Sequence, residues 1–269
     1  MQASFNDLFS ISGKTALVTG GSRGIGEMIA AGYLANGATV YISSRKSDVC
    51  DATANRLAQT YGGECVSLPA DLSQMAGIES LAARLAEREP KLDILVNNAG
   101  ASWGAPLDSF PESGWDKVMD TNVKGVFFLT QKLLPLLRNA ASEGGPARVI
   151  NIGSIDGLKT AAFETFSYGA SKAALHHLTR FMAAHLTKER ILFNAIAPGP
   201  FPTWMLSTGV GFRGETENVD WGSVGRRNPS GRVGSAEDIA GLAIFLASRA
   251  GEYVVGQTIA CDGGAVAAS

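Results

Sequence analysis

The chain has 269 residues, 45% hydrophobic and 18% charged, with a formal net charge of −2. That balance excludes a disordered chain and gives no basic footprint for nucleic acid or an anionic membrane, while the length suits one α/β domain with a large core. No apolar run reaches the ~18 residues of a membrane-spanning helix, and the opening MQASFNDLFSISGK lacks the pattern of an export signal, so a cytoplasmic location without membrane contact is expected.

In chain order, Ala16-Leu17-Val18 opens the pattern as a short apolar run suited to a buried parallel strand over 15–19. Gly20, Gly24 and Gly26 follow as Thr-Gly-x-x-x-Gly-x-Gly. A helix is expected over 24–36, with Ile25, Met28, Ile29 and Leu34 at helical spacing and Gly37 as its stop. A glycine turn that opens a helix presents bare backbone N–H groups to a pyrophosphate, and the helix dipole favours the anion. A second strand is expected over 39–43. An NAD site usually carries an acidic residue at the end of that strand. Here Ser44, Arg45 and Lys46 stand there, and Arg23 sits in the glycine turn. A guanidinium binds a 2′-phosphate that a carboxylate would repel, so the expected cofactor is NADP(H). The plainer alternative is that Arg45 and Lys46 only solvate a loop.

Further strands are expected at 65–69, 92–96, 148–152, 191–196 and 257–261, and further helices at 47–61, 74–88, 111–138, 165–189 and 235–248, the 111–138 helix broken near Asp120. Alternating strands and helices argue for a single Rossmann-type α/β domain, a doubly wound parallel sheet with helices on both faces. The stretch 199–234 reads as irregular and rich in Pro and Gly, and residues 200–231 are the expected substrate lid. Cys50, Cys65 and Cys261 are odd in number and widely spaced, which suggests neither a disulfide framework nor a metal site.

Tyr168 and Lys172 form a Tyr-x-x-x-Lys pair fourteen residues after Ser154. Helix positions i and i+4 share a face. An ammonium beside a phenol favours the phenolate, and a phenol so tuned can exchange a proton with a carbonyl or alcohol oxygen. His176 and His177 follow; at least one turns away from the pair, and a packed or interface role is favoured for them. Trp103, Phe163, Trp204 and Met205 are candidates for an apolar substrate pocket, with core or lid packing as the alternative. Asp156 is read as a solvated loop carboxylate.

Taken together, TGGSRGIG at 19–26, Asp71 in PADLS, NNAG at 97–100, Asn122 in MDTNVKG, Ser154 in INIGS, YGASK at 168–172, PGPFPT at 198–203 and DGG at 262–264 resemble the short-chain dehydrogenase/reductase family over essentially the whole chain. Through NNAGASWGAPLDSFPESGWDKVM and PARVINIGS the chain is similar to 3-oxoacyl-carrier-protein reductases, including those of rhamnolipid pathways. The resemblance implies an NADPH-dependent carbonyl reductase, reversible as an alcohol dehydrogenase. A non-catalytic NADP-binding regulator on the same fold and an NAD-linked alcohol dehydrogenase are the alternatives. It implies that Tyr168 exchanges the proton, Lys172 lowers its pKa and holds the nicotinamide ribose, Ser154 bonds the substrate oxygen, and Asn122 holds a relay water. Asp71 would meet the adenine, and Asn98, Ala99 and Gly100 the adenosine and ribose. Pro198, Gly199 and Thr203 would meet the nicotinamide. Gly20, Ser22, Arg23, Gly24, Ile25, Gly26, Ser44, Arg45, Leu72 and Phe201 complete the implied cofactor set. Pro200 and Pro202 around Phe201 depart from the family's more flexible lid start.

The segment GQTIACDGGAVAAS supplies an edge strand and a small apolar tail. An edge strand needs cover. The long helices also carry Phe127, Phe128, Leu175 and Leu178 beyond what one sheet face demands. Closed symmetric assembly follows as an expectation, and the resemblance favours a homotetramer over a dimer.

Overall fold

The computed structural model describes residues 5–161, 163–209 and 219–269. Among them, β1 (Thr15–Thr19), β2 (Thr39–Ser43), β3 (Cys65–Ser67), β4 (Ile94–Asn97), β5 (Ala147–Ile152), β6 (Ile191–Pro198) and β7 (Thr258–Cys261) form one sheet. The spatial order is β3-β2-β1-β4-β5-β6-β7, with every neighbouring pair parallel. The winding reverses between β1 and β4, which opens a crevice at the carboxyl ends of those strands.

The linking helices are α1 (Gly24–Ala35), α2 (Ser47–Tyr61), α3 (Met75–Ala86), α4 (Glu112–Met119), α5 (Gly125–Glu143), α6 (Phe166–Leu186), α7 (Trp204–Gly209), α8 (Trp221–Gly225) and α9 (Ala236–Ala247). The two-residue period of a strand sends alternate side chains to opposite layers. In β1, Ala16 and Val18 join a core with Ile29, Tyr33, Ile239 and Leu246, whereas Leu17 joins Leu81, Leu85, Leu129 and Leu133 on the other face. Burial on both sides explains why the central strands read as unbroken apolar runs. A buried polar ladder crosses the second layer. Asn97 Nδ2 donates to Asn151 Oδ1 at 2.9 Å, and Asn151 Nδ2 donates to Thr179 Oγ1 at 2.9 Å, which fastens α6 to β4 and β5.

The break expected near Asp120 is present: the helix expected over 111–138 is α4, a π turn over Asp120–Lys124, and α5, which runs past its expected end to Glu143. Gly125 explains the packing there, because a Cβ on it would strike the carbonyl of Leu72. The stretch expected to be irregular carries α7 and α8. Thr203 Oγ1 accepts from the Leu206 N–H at 3.3 Å and Asp220 Oδ1 accepts from Ser223 N–H at 2.9 Å, so short polar side chains start both helices. Residues 210–218 of the expected lid lie outside the described residues. Of the four apolar residues assigned to assembly, Leu175 is buried, Phe128 and Leu178 pack against the core of Leu129 and Leu133, and Phe127 is exposed.

Candidate active site

The glycine turn sits where β1 ends. Gly20 and Gly24 have φ of 65° and 57°, the left-handed region that glycine enters without penalty. At Gly26 a Cβ would strike Asn98 Nδ2 and the Gly20 carbonyl, so the helix approaches the turn as closely as backbone allows. Gly21, which the motif reading passed over, is as confined: a Cβ there would lie 2.7 Å from Ile42 Cγ2. The end of β4 braces the turn. Asn98 Nδ2 donates to the carbonyls of Thr19 at 2.9 Å and Gly20 at 3.2 Å, and Thr19 Oγ1 accepts the N–H groups of Asn98 and Ala99, each at 3.0 Å. The side chain of Asn98, expected as a cofactor contact, thus holds the turn, and the residue lines the cleft. No side chain among the described residues caps the first turn of α1, so its N–H groups suit an anion.

A cleft of about 1380 Å³ runs from this turn across the carboxyl ends of the strands. Gly20, Ser22, Arg23, Gly24, Ile25, Ser44, Arg45, Asp71, Leu72, Asn98, Ala99, Gly100, Ser154, Tyr168, Lys172, Pro198, Gly199, Phe201 and Thr203 all line it. Gly26 and Asn122, also expected at the site, are buried and do not line it. Arg45 is exposed at the lip. The Arg23 guanidinium lies over the Trp204 ring, 4.7 Å from its centroid. Asp71 Oδ1 accepts from Ser73 N–H at 3.0 Å and from Ser73 Oγ–H at 2.8 Å, which fixes that loop at the cleft edge.

Opposite the turn, Ser154 follows β5, and Tyr168 and Lys172 project from successive turns of α6. Ser154 Oγ accepts the Asp156 N–H at 3.1 Å. Lys172 Nζ donates to the Ile152 carbonyl at 2.7 Å and stands 5.5 Å from the Tyr168 ring centroid. Burial pushes the phenol of Tyr168 up to about 12, against the pull of a hydrogen bond with Ser154 and with a push from Asp156. Burial pushes the Lys172 ammonium down to about 8, opposed by Asp156. Burial outweighs the pull on the phenol, while the Lys172 ammonium over the ring still favours the phenolate. The ammonium is engaged by the Ile152 carbonyl over the ring, and desolvation dominates both groups.

The π turn points the Asn122 side chain inward. Its Oδ1 accepts the Ala101 N–H at 2.8 Å, and its Nδ2 donates to the Ala101 carbonyl and Ser171 Oγ, each at 2.9 Å. Asn122 therefore pins the segment after β4 to α6, with Gly100 beside it and Lys172. His176 is a packed residue. Its ring lies against Gly153 and Gly157, neither of which has room for a Cβ, and burial pushes it down to about 4. His177 is exposed, near Arg180.

On the substrate side, Phe163, Trp204 and Met205 line the cleft with Ile155, Leu206 and Val224. Trp103 does not line it; the ring packs against Gly114 under Lys117. Asp156 is half-buried in the cleft wall rather than solvated, and burial raises its carboxyl pKa against the pull of Lys159 and Lys172. Lys159 Nζ donates to the Ala265 carbonyl at 2.7 Å, which holds the C-terminal tail along the cleft. The start of the stretch expected as a lid is firm: Gly234 N–H donates to the Pro200 carbonyl at 2.9 Å, and Phe201 packs against Gly234. Sequence reasoning gave no role to Thr19, Gly21, Lys159 or Gly234, because their partners are distant in sequence.

Such a crevice, with a glycine turn on one wall and a Ser, Tyr and Lys set on the other, defines an oxidoreductase-like nucleotide site. A family model described as Enoyl-(Acyl carrier protein) reductase matches residues 20–266. The rhamnolipids biosynthesis 3-oxoacyl-[acyl-carrier-protein] reductase of Pseudomonas aeruginosa is 51% identical over 256 residues, 95% of this chain and 97% of that protein. Gluconate 5-dehydrogenase of Gluconobacter oxydans is 37% identical, over 96% of each. The solved Pseudomonas aeruginosa RhlG/NADP active-site complex superposes with a TM-score of 0.89 at 49% identity, covering 97% of this chain and 100% of that one. This chain belongs to the short-chain dehydrogenase/reductase family.

Proposed function

We propose that the chain is an NADPH-dependent carbonyl reductase that converts a ketone or a 3-oxoacyl group to the alcohol, reversibly. The observation that carries this reading is the placement of Ser154, Tyr168 and Lys172 on the cleft that the glycine turn, Arg23 and Arg45 also line. A relative 51% identical to this chain is named a 3-oxoacyl-[acyl-carrier-protein] reductase, and the RhlG complex holds NADP. The residues fit that cofactor: the turn is a cradle that Cβ atoms would fill, α1 opens without a side-chain cap, and Arg23 and Arg45 supply cationic groups where no carboxylate ends β2.

NADPH, when bound, supplies the hydride. Everything else is the protein's work. Tyr168 is held as the neutral phenol at pH 7, the protonation state a donor needs. Its proton passes to the substrate oxygen, and Ser154 hydrogen-bonds that oxygen as charge develops on it. The phenolate left behind is balanced by Lys172, poised over the ring. Asn122 sets the distance between α6 and the loop after β4. The apolar wall of Phe163, Trp204, Met205 and Leu206 favours a substrate with an apolar tail.

We take the described residues as parts of a single domain with a substrate lid over 200–231, working in the cytoplasm as a homotetramer. No helix among the described residues is long and apolar enough to cross a membrane, and no His, Cys, Asp and Glu cluster among them suits a metal. Exposed Phe127 and Phe181 on α5 and α6 support symmetric contact. The function is tested by NADPH absorbance at 340 nm with 3-oxoacyl thioesters, keto-sugar acids and simple ketones. Oxidation of NADPH with the 3-oxoacyl series fastest supports the reading; flat traces across the panel favour a non-catalytic regulator.

A further inference from the structure

The Arg23–Trp204 pair links two parts of the molecule that the reaction uses separately. Arg23 belongs to the glycine turn, and Trp204 is the first residue of α7 in the lid. The contact does not stand alone. A Cβ on Gly24, the next residue after Arg23, would lie 3.2 Å from Cγ2 of Thr203, the residue before Trp204. The glycine turn and the start of α7 thus meet, with the Arg23 cation on the face of the Trp204 ring.

A guanidinium is planar, and its N–H donors lie around its edge while its face is free to stack. An aromatic ring under that face uses none of the donors and removes rotamer freedom from a long side chain. Arg23 stacked on Trp204 therefore keeps its fork available for a phosphate in a narrowed set of orientations. We infer that Trp204 is a positioning residue for the 2′-phosphate of NADP(H), acting through Arg23, and that phosphate binding and the seating of α7 are coupled. This inference rests on the proposed NADPH preference. It adds a lid residue to a selectivity that the end of β2 and the glycine turn would otherwise determine alone.

The test uses the full-length protein and the probes adenosine 2′,5′-bisphosphate and 5′-AMP, titrated by calorimetry, together with steady-state NADPH and NADH kinetics. Trp204→Leu removes the ring and keeps an apolar side chain; Trp204→Phe keeps a ring. A cation–π contact at an exposed site predicts that Trp204→Leu weakens the bisphosphate by about two- to five-fold, leaves 5′-AMP unchanged, and is largely rescued by Trp204→Phe. The ratio of KM for NADPH to KM for NADH should rise by the same factor. Reciprocally, the bisphosphate and not 5′-AMP should slow amide exchange in 204–207 of the unmutated protein. Equal losses for the two probes would reduce Trp204 to general lid packing and overturn the inference, as would no loss at all. An unmutated protein that binds the two probes equally would instead overturn the NADPH reading on which the inference rests.

Discussion

The Nζ of Lys172 donates to the carbonyl of Ile152 at 2.7 Å, so the last residue of β5 anchors the ammonium that stands over Tyr168. The strand thereby positions both Ser154, two residues beyond it, and the Lys172 head group on α6. One consequence is that cutting the link that Asn122 makes from the segment after β4 to α6 should disturb the site. In Asn122→Ala the Ala101 N–H and Ser171 Oγ lose a buried partner, and such a loss costs about 1–3 kcal/mol. Denaturant unfolding should show that loss, and turnover should fall with it; an unchanged midpoint would contradict the assignment.

The glycine turn offers a second check. Gly26→Ala places a methyl against Asn98 Nδ2 and the Gly20 carbonyl. Overpacking of this kind costs about 1–3 kcal/mol, and here it also displaces the turn. Melting temperature and nucleotide affinity should drop together. A variant with normal nucleotide affinity would show that the turn tolerates a side chain and that the close approach is not needed.

Much of this was legible in the sequence. The periodicity of apolar residues gave the sheet and the long helices, since a strand buried on both faces must be apolar throughout. Tyr168 and Lys172 were legible because four residues make one helical turn. What was not legible depends on burial and on distant partners. The direction of the Tyr168 shift is set chiefly by desolvation, which does not follow from spacing. The π turn at Asn122 reflects contact with Leu72 and Ala101, and the Arg23–Trp204 stack joins residues 181 positions apart by their numbers.

His176 carries a pH prediction. Its pKa falls from the ordinary 6.5 to about 4 on folding, chiefly through burial. Between those values the unfolded chain binds the extra proton, so the contribution is present above pH 6.5 and is lost as pH falls toward 4. The slope is at most about 1.4 kcal/mol per pH unit. Urea unfolding at pH 7, 5.5 and 4.5 should show it in the unmutated protein and not in His176→Gln. Parallel pH profiles for the two would contradict it.

Cofactor choice should follow charge at the cleft lip. Removing the side chains of both Arg23 and Arg45 is expected to weaken NADPH use by roughly 1.5–3 kcal/mol per lost charge-assisted bond, while NADH use holds. The check is kcat/KM for each cofactor. Equal values in the unmutated protein would contradict the account of Ser44 and Arg45.

Assembly is checked by light scattering at micromolar concentration. The tail from Asp262 onward lies along its own subunit's cleft through Lys159 and Ala265, and β7 is a strand of the sheet. Deleting 262–269 should therefore lower activity before it alters mass, whereas Phe127→Lys should reduce mass. A clean species near 28.1 kDa for the intact protein would defeat the oligomer proposal.

The most direct test of the central claim is the NADPH-dependent turnover of Tyr168→Phe, followed at 340 nm with a ketone that the unmutated protein reduces. The substitution keeps the ring and removes the transferable proton. The account predicts a fall in kcat of at least ~10²-fold with NADPH affinity largely kept. Turnover within a few-fold of the unmutated protein would contradict it.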